Sequence, residues 1–160
     1  MSVSEMIYYS IAQLVGAIVG GFCGGIVAAS HASVSIGAED VTLSQALLAE
    51  VVVTFILCFV VLCVATNSKV DDNQYYALAI GLVVTSGAIG VGPISGGAFN
   101  PAVALGLSIT SGMSNLMYAL LVSASNLVGA IVAAVCFRVV LPSEFEPSTA
   151  GERTPLRSNA

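Results

Sequence analysis

Long apolar stretches separated by short polar connections are the main pattern of this chain. Four of them cover about residues 7–29, 43–66, 75–91 and 116–141. Each is close to the roughly 20 residues with which an α-helix crosses a ~30 Å hydrocarbon core. The pattern therefore predicts an all-α membrane protein with four transmembrane helices.

A glycine- and proline-rich segment, which is also apolar, separates the third stretch from the fourth. It reads GPISGGAFNPAVALGLSIT and carries no charge. Asn100 suits a helix N-cap, and Pro101 suits the first helical position, where its missing N–H would have no partner. A helix from Pro101 to Ile109 would be about 14 Å long at ~1.5 Å per residue, which is half of a membrane span.

We expect residues 92–109 to form a re-entrant loop followed by this half-helix. Irregular backbone is tolerated at membrane depth where it is buried in protein or lines a wet cavity. The loop would descend from the outer surface, and the half-helix would return with its positive N-terminal end at the membrane centre. There the helix dipole would oppose cations, and the Asn100 amide would offer a hydrogen bond to a passing molecule. The pattern leaves one alternative open, an outer loop followed by an interfacial helix.

Polar residues inside the apolar stretches are candidates for supporting this loop. Glu50 lies several residues inside the second stretch, and Thr54 lies one helical turn later on the same face. An ionisable group in a span usually faces the bundle interior and has a function there. We favour a role in which Glu50 accepts hydrogen bonds from the loop backbone, with proton relay as the alternative. Gln13, in the first stretch, is expected to be a similar buried polar group.

Small residues predict where the helices pack closely. Gly16, Gly20 and Gly24 recur at four-residue spacing in the first stretch, and Gly129 and Ala133 do so in the fourth. Such spacing lets helix backbones approach each other in lipid. We therefore expect the first helix to lie inside the bundle. Tyrosines at the ends of the stretches are expected to anchor at the headgroups, namely Tyr8, Tyr9, Tyr75, Tyr76 and Tyr118.

The composition supports a membrane protein. Of the 160 residues, 57% are hydrophobic and 8% are charged, against about 25% charged residues in soluble domains. A secretory signal is a poor alternative for the first stretch, because its leader carries Glu5 and no Lys or Arg. The sequence contains no cluster of basic and aromatic residues that would indicate nucleic-acid binding. The four cysteines lack metal-ligand spacing, so we expect neither a metal nor a cofactor; they are Cys23, Cys58, Cys63 and Cys136.

The few basic residues predict the orientation. Lys69 lies in the connection 67–74, and Arg138, Arg153 and Arg157 lie at or beyond the end of the fourth stretch. The connections 30–42 and 92–115 contain no Lys or Arg. The positive-inside rule then places both termini and residues 67–74 in the cytosol. Residues 1–142 form the transmembrane region, and the polar, proline-broken residues 143–160 are expected to be a disordered cytosolic tail.

Together these segments resemble the aquaporin, or major intrinsic protein, family. The residues that carry the resemblance are YYSIAQLVGAIVGG, LLAEVVVTFILCFVV and YYALAIGLVVTSGAIGVG for the third to fifth spans, SGGAFNPAV for the second pore loop, and NLMYALLVSASNLVGAIVAAVCFRVVLP for the sixth span. The pattern Ser-Gly-Gly-x-x-Asn-Pro-Ala-Val after a Glu-containing span is highly specific. The resemblance covers nearly the whole chain except the tail, and the family's first two spans and first Asn-Pro-Ala loop have no counterpart in it.

The resemblance implies a passive channel with an aquaporin-like helical bundle. Asn100, Pro101 and Ala102 would form its central constriction. Three further residues would line the outer selectivity filter, namely Ala88, Gly97 and Val103. The family usually has Arg at the position of Val103, and its water-selective members often have His at that of Ala88. These small or apolar residues imply a wide filter that passes water and small uncharged solutes such as glycerol, urea or ammonia. The proline of the family's sixth span is replaced here by Asn126.

The family's pore is built from two inverted halves, a general device of transporters. The resemblance covers one half and one further helix, so it implies an N-terminally truncated member whose pore another chain completes. Members assemble as tetramers in lipid. Two alternatives come from other classes: a non-conducting membrane subunit that modulates a full-length aquaporin, and a proton-coupled carrier that uses Glu50. No nucleophile–base constellation suggests an enzyme, and the single histidine, His31, lies in a connection.

Overall fold

The computed structural model describes residues 2–70 and 72–145. Its five α-helices are α1 (Val3–Ala28), α2 (Leu43–Val61), α3 (Tyr76–Ser95), α4 (Pro101–Thr110) and α5 (Leu116–Val140). A π-helical turn, Leu62–Thr66, extends α2, and two short 3-10 turns cover Ser68–Val70 and Pro142–Phe145. No strand occurs within these two described ranges.

Four of the helices are long and apolar enough to cross a membrane: α1, α2 with its π extension, α3 and α5. The fifth, α4, is apolar and has 10 residues. This architecture confirms the predicted all-α membrane fold with four spans and one half-length helix.

The starts of α1 and α2 follow from local sequence. Ser2 accepts a hydrogen bond from the Glu5 backbone, and the Glu5 side chain accepts one from the Ser2 backbone. Thr42 and Gln45 make the same reciprocal pair before α2. Each capping box satisfies two backbone donors that have no partner inside the helix. The first helix therefore begins at Val3, four residues earlier than the apolar pattern indicates.

The end of α3 differs from the prediction. The helix continues through Pro93 to Ser95, so the irregular backbone covers residues 96–99 instead of 92–99. Proline removes one hydrogen bond from the ladder, but the helix resumes after it, and the Gly96 N–H donates to the Gly92 carbonyl at 2.9 Å. The predicted break at Gly92 is therefore wrong, because a single missing bond does not end a helix whose next turn is intact.

The core of the bundle lies where α2, α4 and α5 meet. Small side chains on these helices are fully buried, among them Ala46, Ala104, Ala119 and Ala133. The backbones of α2 and α5 approach closely at Gly129 of α5, where an added Cβ would lie 2.5 Å from the Val51 carbonyl oxygen of α2. Small residues at this crossing allow the two long helices to pack backbone against backbone.

The first helix is not inside the bundle. Only Gly25 of α1 is buried, and α1 packs mainly against the short helix α4. The predicted contact stripe is wrong as well, since a Cβ at Gly16, Gly20 or Gly24 would meet nothing within 4 Å. The close contact is instead made by Gly106 of α4, where an added Cβ would lie 2.6 Å from the Ala17 Cβ. Glycine spacing indicated that α1 could pack closely, but the rotation of the helix decided which of its residues do so.

The beginning of the predicted tail is ordered. Glu144, in the turn Pro142–Phe145, accepts hydrogen bonds from the Ser68 backbone N–H at 3.0 Å and from the Ser68 hydroxyl at 2.8 Å. Phe145 packs edge-on against Phe137 at 6.1 Å between ring centroids, and the Arg138 guanidinium lies 5.0 Å from the Phe145 centroid. The prediction of disorder is therefore wrong for residues 143–145. Its remainder, residues 146–160, lies outside the described part of the chain.

We expect the contact between Glu144 and Ser68 to depend on pH. Hydrogen bonds from the Ser68 backbone and hydroxyl hold the pKa of Glu144 below its usual value. A carboxyl with a lowered folded-state pKa stabilises the contact above its ordinary pKa, and this contribution is lost as the pH falls through the lowered one. Carbon-13 NMR titration of the Glu144 carboxyl should show this lowered pKa.

Two variants test whether the Ser68 hydroxyl lowers the pKa of Glu144. Ser68→Ala removes the hydroxyl donor and should move the pKa of Glu144 part of the way back to its ordinary value. Ser114 precedes the start of α5, whereas Glu144 follows the end of the same helix. Ser114→Ala should therefore leave the pKa of Glu144 unchanged. A Glu144 pKa at or above the ordinary glutamate value in the unmodified chain would contradict the expectation.

Candidate pore-lining site

The half-length helix α4 begins at an Asn-Pro pair. Asn100 is the N-cap with extended backbone (φ −153°, ψ 125°), and its side-chain oxygen accepts a hydrogen bond from the Ala102 N–H at 2.8 Å. Pro101 occupies the first helical position. Because the Asn100 oxygen is engaged in capping, the NH₂ group of the same side chain remains as a donor.

The start of α4 lies at mid-height in the bundle. The Asn100 backbone N–H lies 3.0 Å from the side-chain amide of Asn126, which is near the middle of the 25-residue helix α5. At the other end of α4, the Ser108 hydroxyl donates to the Ser114 carbonyl at 2.9 Å, just before α5 begins. The short helix therefore runs along only half of α5.

The chain reverses sharply between α3 and α4. Gly96 (φ 90°), Gly97 (φ 65°) and Phe99 (φ 48°) all have left-handed backbone. This conformation is easy for glycine, but it costs roughly 1–2 kcal/mol for a residue with a side chain. Phe99 is nonetheless held in it, with 5% of its surface exposed. The surrounding structure must therefore stabilise the turn.

Glu50 provides this stabilisation. Its carboxylate is fully buried. One oxygen accepts hydrogen bonds from the Ala98 N–H at 3.0 Å and the Ser95 hydroxyl at 2.7 Å, and the other accepts one from the Phe99 N–H at 2.9 Å. A single side chain of α2 thus satisfies two backbone donors of the turn and one hydroxyl beside it.

The other two residues expected to support the loop have different positions. Thr54 is buried one turn after Glu50, but its hydroxyl contacts Asn126 at 3.0 Å and not the turn itself. Gln13 is exposed and makes no hydrogen bond within the described residues. The expectation that Gln13 is buried is wrong, because the inward face of α1 at this level is a groove and not packed protein.

The three consecutive residues of the expected constriction all line that groove. Asn100, Pro101 and Ala102 face Ser10, Gln13 and Leu14 of α1 across a space of about 380 Å³, with Leu105 and Leu127 completing its lining. The N-terminal end of α4 therefore opens on a groove between α1 and α5, at mid-height in the bundle. Gln13 adds a second polar amide to the wall.

The three residues of the expected filter are more dispersed. Val103 lines a second groove, of about 430 Å³, against the glycine-rich face of α1, and neither Ala88 nor Gly97 belongs to that lining. Ala88 is exposed on α3. Gly97 is half-buried in the turn, where an added Cβ would lie 3.2 Å from the Gly92 Cα. All three positions are small or apolar.

The sequence analysis did not predict the roles of two residues at the turn. Ser95 is fully buried and donates to Glu50, and the Tyr118 hydroxyl donates to the Ser95 carbonyl at 2.8 Å. Tyr118 was expected to anchor at the headgroups, but it turns inward to hold the end of α3. Ser95 could have been found, because it opens the same Ser-Gly-Gly motif that identifies the loop. Nothing in the sequence around Tyr118 indicates this contact.

The fold and this site are those of an integral, multi-pass helical membrane protein in which a half-helix starts inside the bundle. The family model described as "Major intrinsic protein" matches residues 1–137 and, in a second alignment, 66–158. The chain therefore belongs to the major intrinsic protein family, as the sequence motifs predict.

Curated relatives agree with this assignment. The chain is 32% identical to "Probable aquaporin TIP3-2" of Arabidopsis thaliana over 98% of its own length and 59% of the relative's. It is 33% identical to "Aquaporin AqpM" of Methanothermobacter marburgensis over 84% and 58% of the two chains. It is 36% identical to "Probable aquaporin TIP2-2" of Oryza sativa subsp. japonica over 66% and 43%. The chain spans about half the length of these relatives.

Proposed function

We propose that this chain forms part of the wall of a passive channel for water and small uncharged solutes. The observation that carries the proposal is the start of α4, where Asn100 opens on a groove at mid-height in the bundle. The relatives are named as aquaporins, which supports the proposal.

The chemistry of the groove suits neutral solutes that carry an oxygen. The Asn100 oxygen is held by the Ala102 N–H, so the amide NH₂ is the group available to the groove. An N–H donor at the positive end of a helix dipole favours a solute oxygen and disfavours a cation. Ser10 and Gln13 add two polar side chains on the α1 wall, and the rest of the lining is apolar, with Leu14, Leu105 and Leu127.

Glu50 supports a passive mechanism in this proposal. The carboxylate has no exposed surface, and all its contacts are donors that belong to the turn, to Ser95 or to Asn126. A coupling carboxylate would have to reach the solvent path to exchange its proton. We therefore assign Glu50 to holding the turn and do not retain the proton-coupled carrier.

The proposed filter is wide. Val103 has no donor with which to fix a permeant molecule, and Ala88 and Gly97 add no bulk. These three residues do not share one lining in this chain, so the proposed filter forms when further polypeptide closes the pore. Such a filter would discriminate poorly between water and glycerol, urea or ammonia.

The proposed pore includes further polypeptide. The face of α4 that carries Asn100 is open between α1 and α5, and the chain matches about half of its relatives' length. We propose that a second chain or segment closes this face within an oligomer in the membrane, in which a tetramer would match the family resemblance. The same open face also suits the second candidate, a non-conducting subunit that docks on a full-length aquaporin.

We propose that both termini and residues 67–74 face the cytosol. Lys69 and Arg138 lie at the same end of the bundle, since Ser68 and Glu144 are hydrogen-bonded there. The positive-inside rule assigns such an end to the cytosol.

Stopped-flow light scattering of proteoliposomes tests the proposed function. Under a sorbitol gradient, vesicles that contain the folded protein should shrink faster than protein-free vesicles. Under a glycerol gradient, they should first shrink and then swell again as glycerol enters, also faster than protein-free vesicles. Ala102→Trp, which fills the groove beside Asn100, should abolish the gain. Ala77→Trp, on the exposed start of α3, should not. Permeability no higher than that of protein-free vesicles would show that copies of this chain do not complete the pore by themselves, and it would favour the non-conducting subunit.

A substitution at Val103 tests the proposed filter. Val103→Arg adds a bulky cation where the family usually has one, so it should narrow the opening. We expect glycerol permeability to fall at least about tenfold, while water permeability falls much less. Val103→Leu adds bulk without charge and serves as the control for a merely steric effect. An unchanged ratio of glycerol to water permeability in Val103→Arg would remove Val103 from the filter.

A further inference from the structure

Asn126 of α5 is a buried polar side chain at the junction of α2, α5 and the turn before α4. Only 1% of its surface is exposed. By the family resemblance, proline is expected at this position. Asn126 therefore places a hydrogen-bonding amide where the family has a side chain without polar atoms. Three polar groups lie around it: the Glu50 carboxylate, the Thr54 hydroxyl and the Asn100 backbone N–H.

The surroundings determine how the Asn126 amide is oriented. With its nitrogen toward α2, it donates to the Glu50 Oε2 at 2.9 Å and to the Thr54 Oγ1 at 3.0 Å, and its oxygen accepts from the Asn100 N–H at 3.0 Å. The opposite orientation would set the amide oxygen against the carboxylate and the NH₂ group against the backbone N–H. Buried polar groups require complementary partners, so the first orientation is the stable one.

This orientation links the carboxylate to the start of α4 through one side chain. Glu50 holds the backbone N–H groups of Ala98 and Phe99 directly, and Asn126 holds the next one, that of Asn100. Three consecutive backbone donors are therefore fixed by two side chains that are hydrogen-bonded to each other. The backbone of Asn100 determines where its side-chain amide points into the groove.

We propose that Asn126 is a positioning residue that sets the place of the Asn100 amide at the constriction. It acts through the Asn100 backbone and touches no permeant molecule. Its consequence for permeation rests on the proposed channel function, but its effect on the Asn100 backbone does not. One measurement therefore reports on the Asn100 backbone, and a second reports on permeation.

The first measurement is amide hydrogen exchange at Asn100, by solid-state NMR of the protein in lipid bilayers. In the unmodified chain this amide should exchange slowly. Asn126→Leu, which is similar in size and cannot accept a hydrogen bond, should speed exchange at Asn100 by about fivefold or more, as loss of one hydrogen bond predicts. Ser123→Ala is the matched control, because Ser123 is also buried on α5 but bonds only to the Ala119 carbonyl of its own helix.

The pattern of exchange decides between positioning and general stability. We expect the change in Asn126→Leu to centre on Asn100, with the core amides of α2 and α5 unchanged. An equal acceleration throughout the core, or none at Asn100, would overturn the proposal. Should Asn126→Leu fail to fold, free exchange at Asn100 in the unmodified chain would overturn it by itself, while slow exchange together with intact folding of Ser123→Ala would support it.

The second measurement is the ratio of glycerol to water permeability in proteoliposomes. Asn126→Leu should change this ratio at equal protein content, because the Asn100 amide moves, whereas Ser123→Ala should leave it unaltered. At equal protein content, a fall of both permeabilities in parallel would indicate fewer folded channels rather than a moved amide, and it would contradict the proposal. If the unmodified chain shows no permeability, copies of this chain do not complete a pore by themselves, and the exchange result still decides the role of Asn126.

Discussion

Replacing Glu50 by leucine should cause the largest loss of stability among single substitutions in this chain. The variant leaves the buried N–H groups of Ala98 and Phe99 without their acceptor, and it leaves the Ser95 hydroxyl with only the Val91 carbonyl at 3.3 Å. An unsatisfied buried donor costs about 1–3 kcal/mol, so we expect the free energy of unfolding to fall by about 3 kcal/mol or more. The left-handed backbone at Phe99 should relax at the same time.

The measurement is unfolding by SDS titration, followed by circular dichroism. Glu50→Gln keeps one acceptor oxygen but sets an NH₂ group against a backbone donor, so its stability should lie between those of Glu50→Leu and the unmodified chain. Glu39→Leu, in the exposed connection before α2, is the matched control for replacing a glutamate and should have little effect. If Glu50→Leu unfolds at the same SDS fraction as the unmodified chain, Glu50 does not hold the turn.

Adding one methyl group at Gly129 should be the second most damaging change. Its Cβ would lie 2.5 Å from the Val51 carbonyl oxygen and 3.0 Å from the Phe55 N. Both atoms belong to the backbone of α2 and cannot move as a flexible side chain would. The helices must separate, so we expect Gly129→Ala to lower the free energy of unfolding by about 1–3 kcal/mol.

Two other glycines show whether the effect comes from close packing. Gly20→Ala places its methyl group in open space on α1 and should be neutral or slightly stabilising. Gly106→Ala would meet the Ala17 Cβ at 2.6 Å and should be destabilising, though less than Gly129→Ala, because part of that clash is with a side chain. Equal stability of the Gly129 and Gly20 variants would contradict the observed crossing of α2 and α5. SDS unfolding measures all three.

The sequence alone predicted the elements that depend on local chemistry. Four long apolar stretches became four membrane-length helices, because burial of backbone polar groups in lipid leaves the helix as the available structure for such a stretch. The Asn-Pro pair at residues 100 and 101 marked the start of α4, because the cap and the proline act within one turn of chain. The family motif followed from consecutive residues in the same segment.

Other expectations depended on how the helices turn toward each other, and these were less accurate. The glycine spacing in α1 was compatible with several faces, and the face that packs on α4 contains Ala17 and Gly21 rather than Gly16 and Gly20. Gln13 was expected to be buried but borders a groove. Tyr118 was assigned to the membrane interface, yet its hydroxyl holds the Ser95 carbonyl. No periodicity within one helix reports the rotation of its neighbour.

Local sequence information was enough to identify a helical membrane protein of the major intrinsic protein family, with a half-helix that starts at Asn100 and a glutamate inside a span. Hydropathy, capping and motif order carry that information, because each acts along the chain. Only the tertiary structure decided that Glu50 holds the turn at Ala98 and Phe99 and that Asn126 extends the network to Asn100. These contacts join residues that are 26 to 49 positions apart, so they exist only once α2, α4 and α5 have packed together.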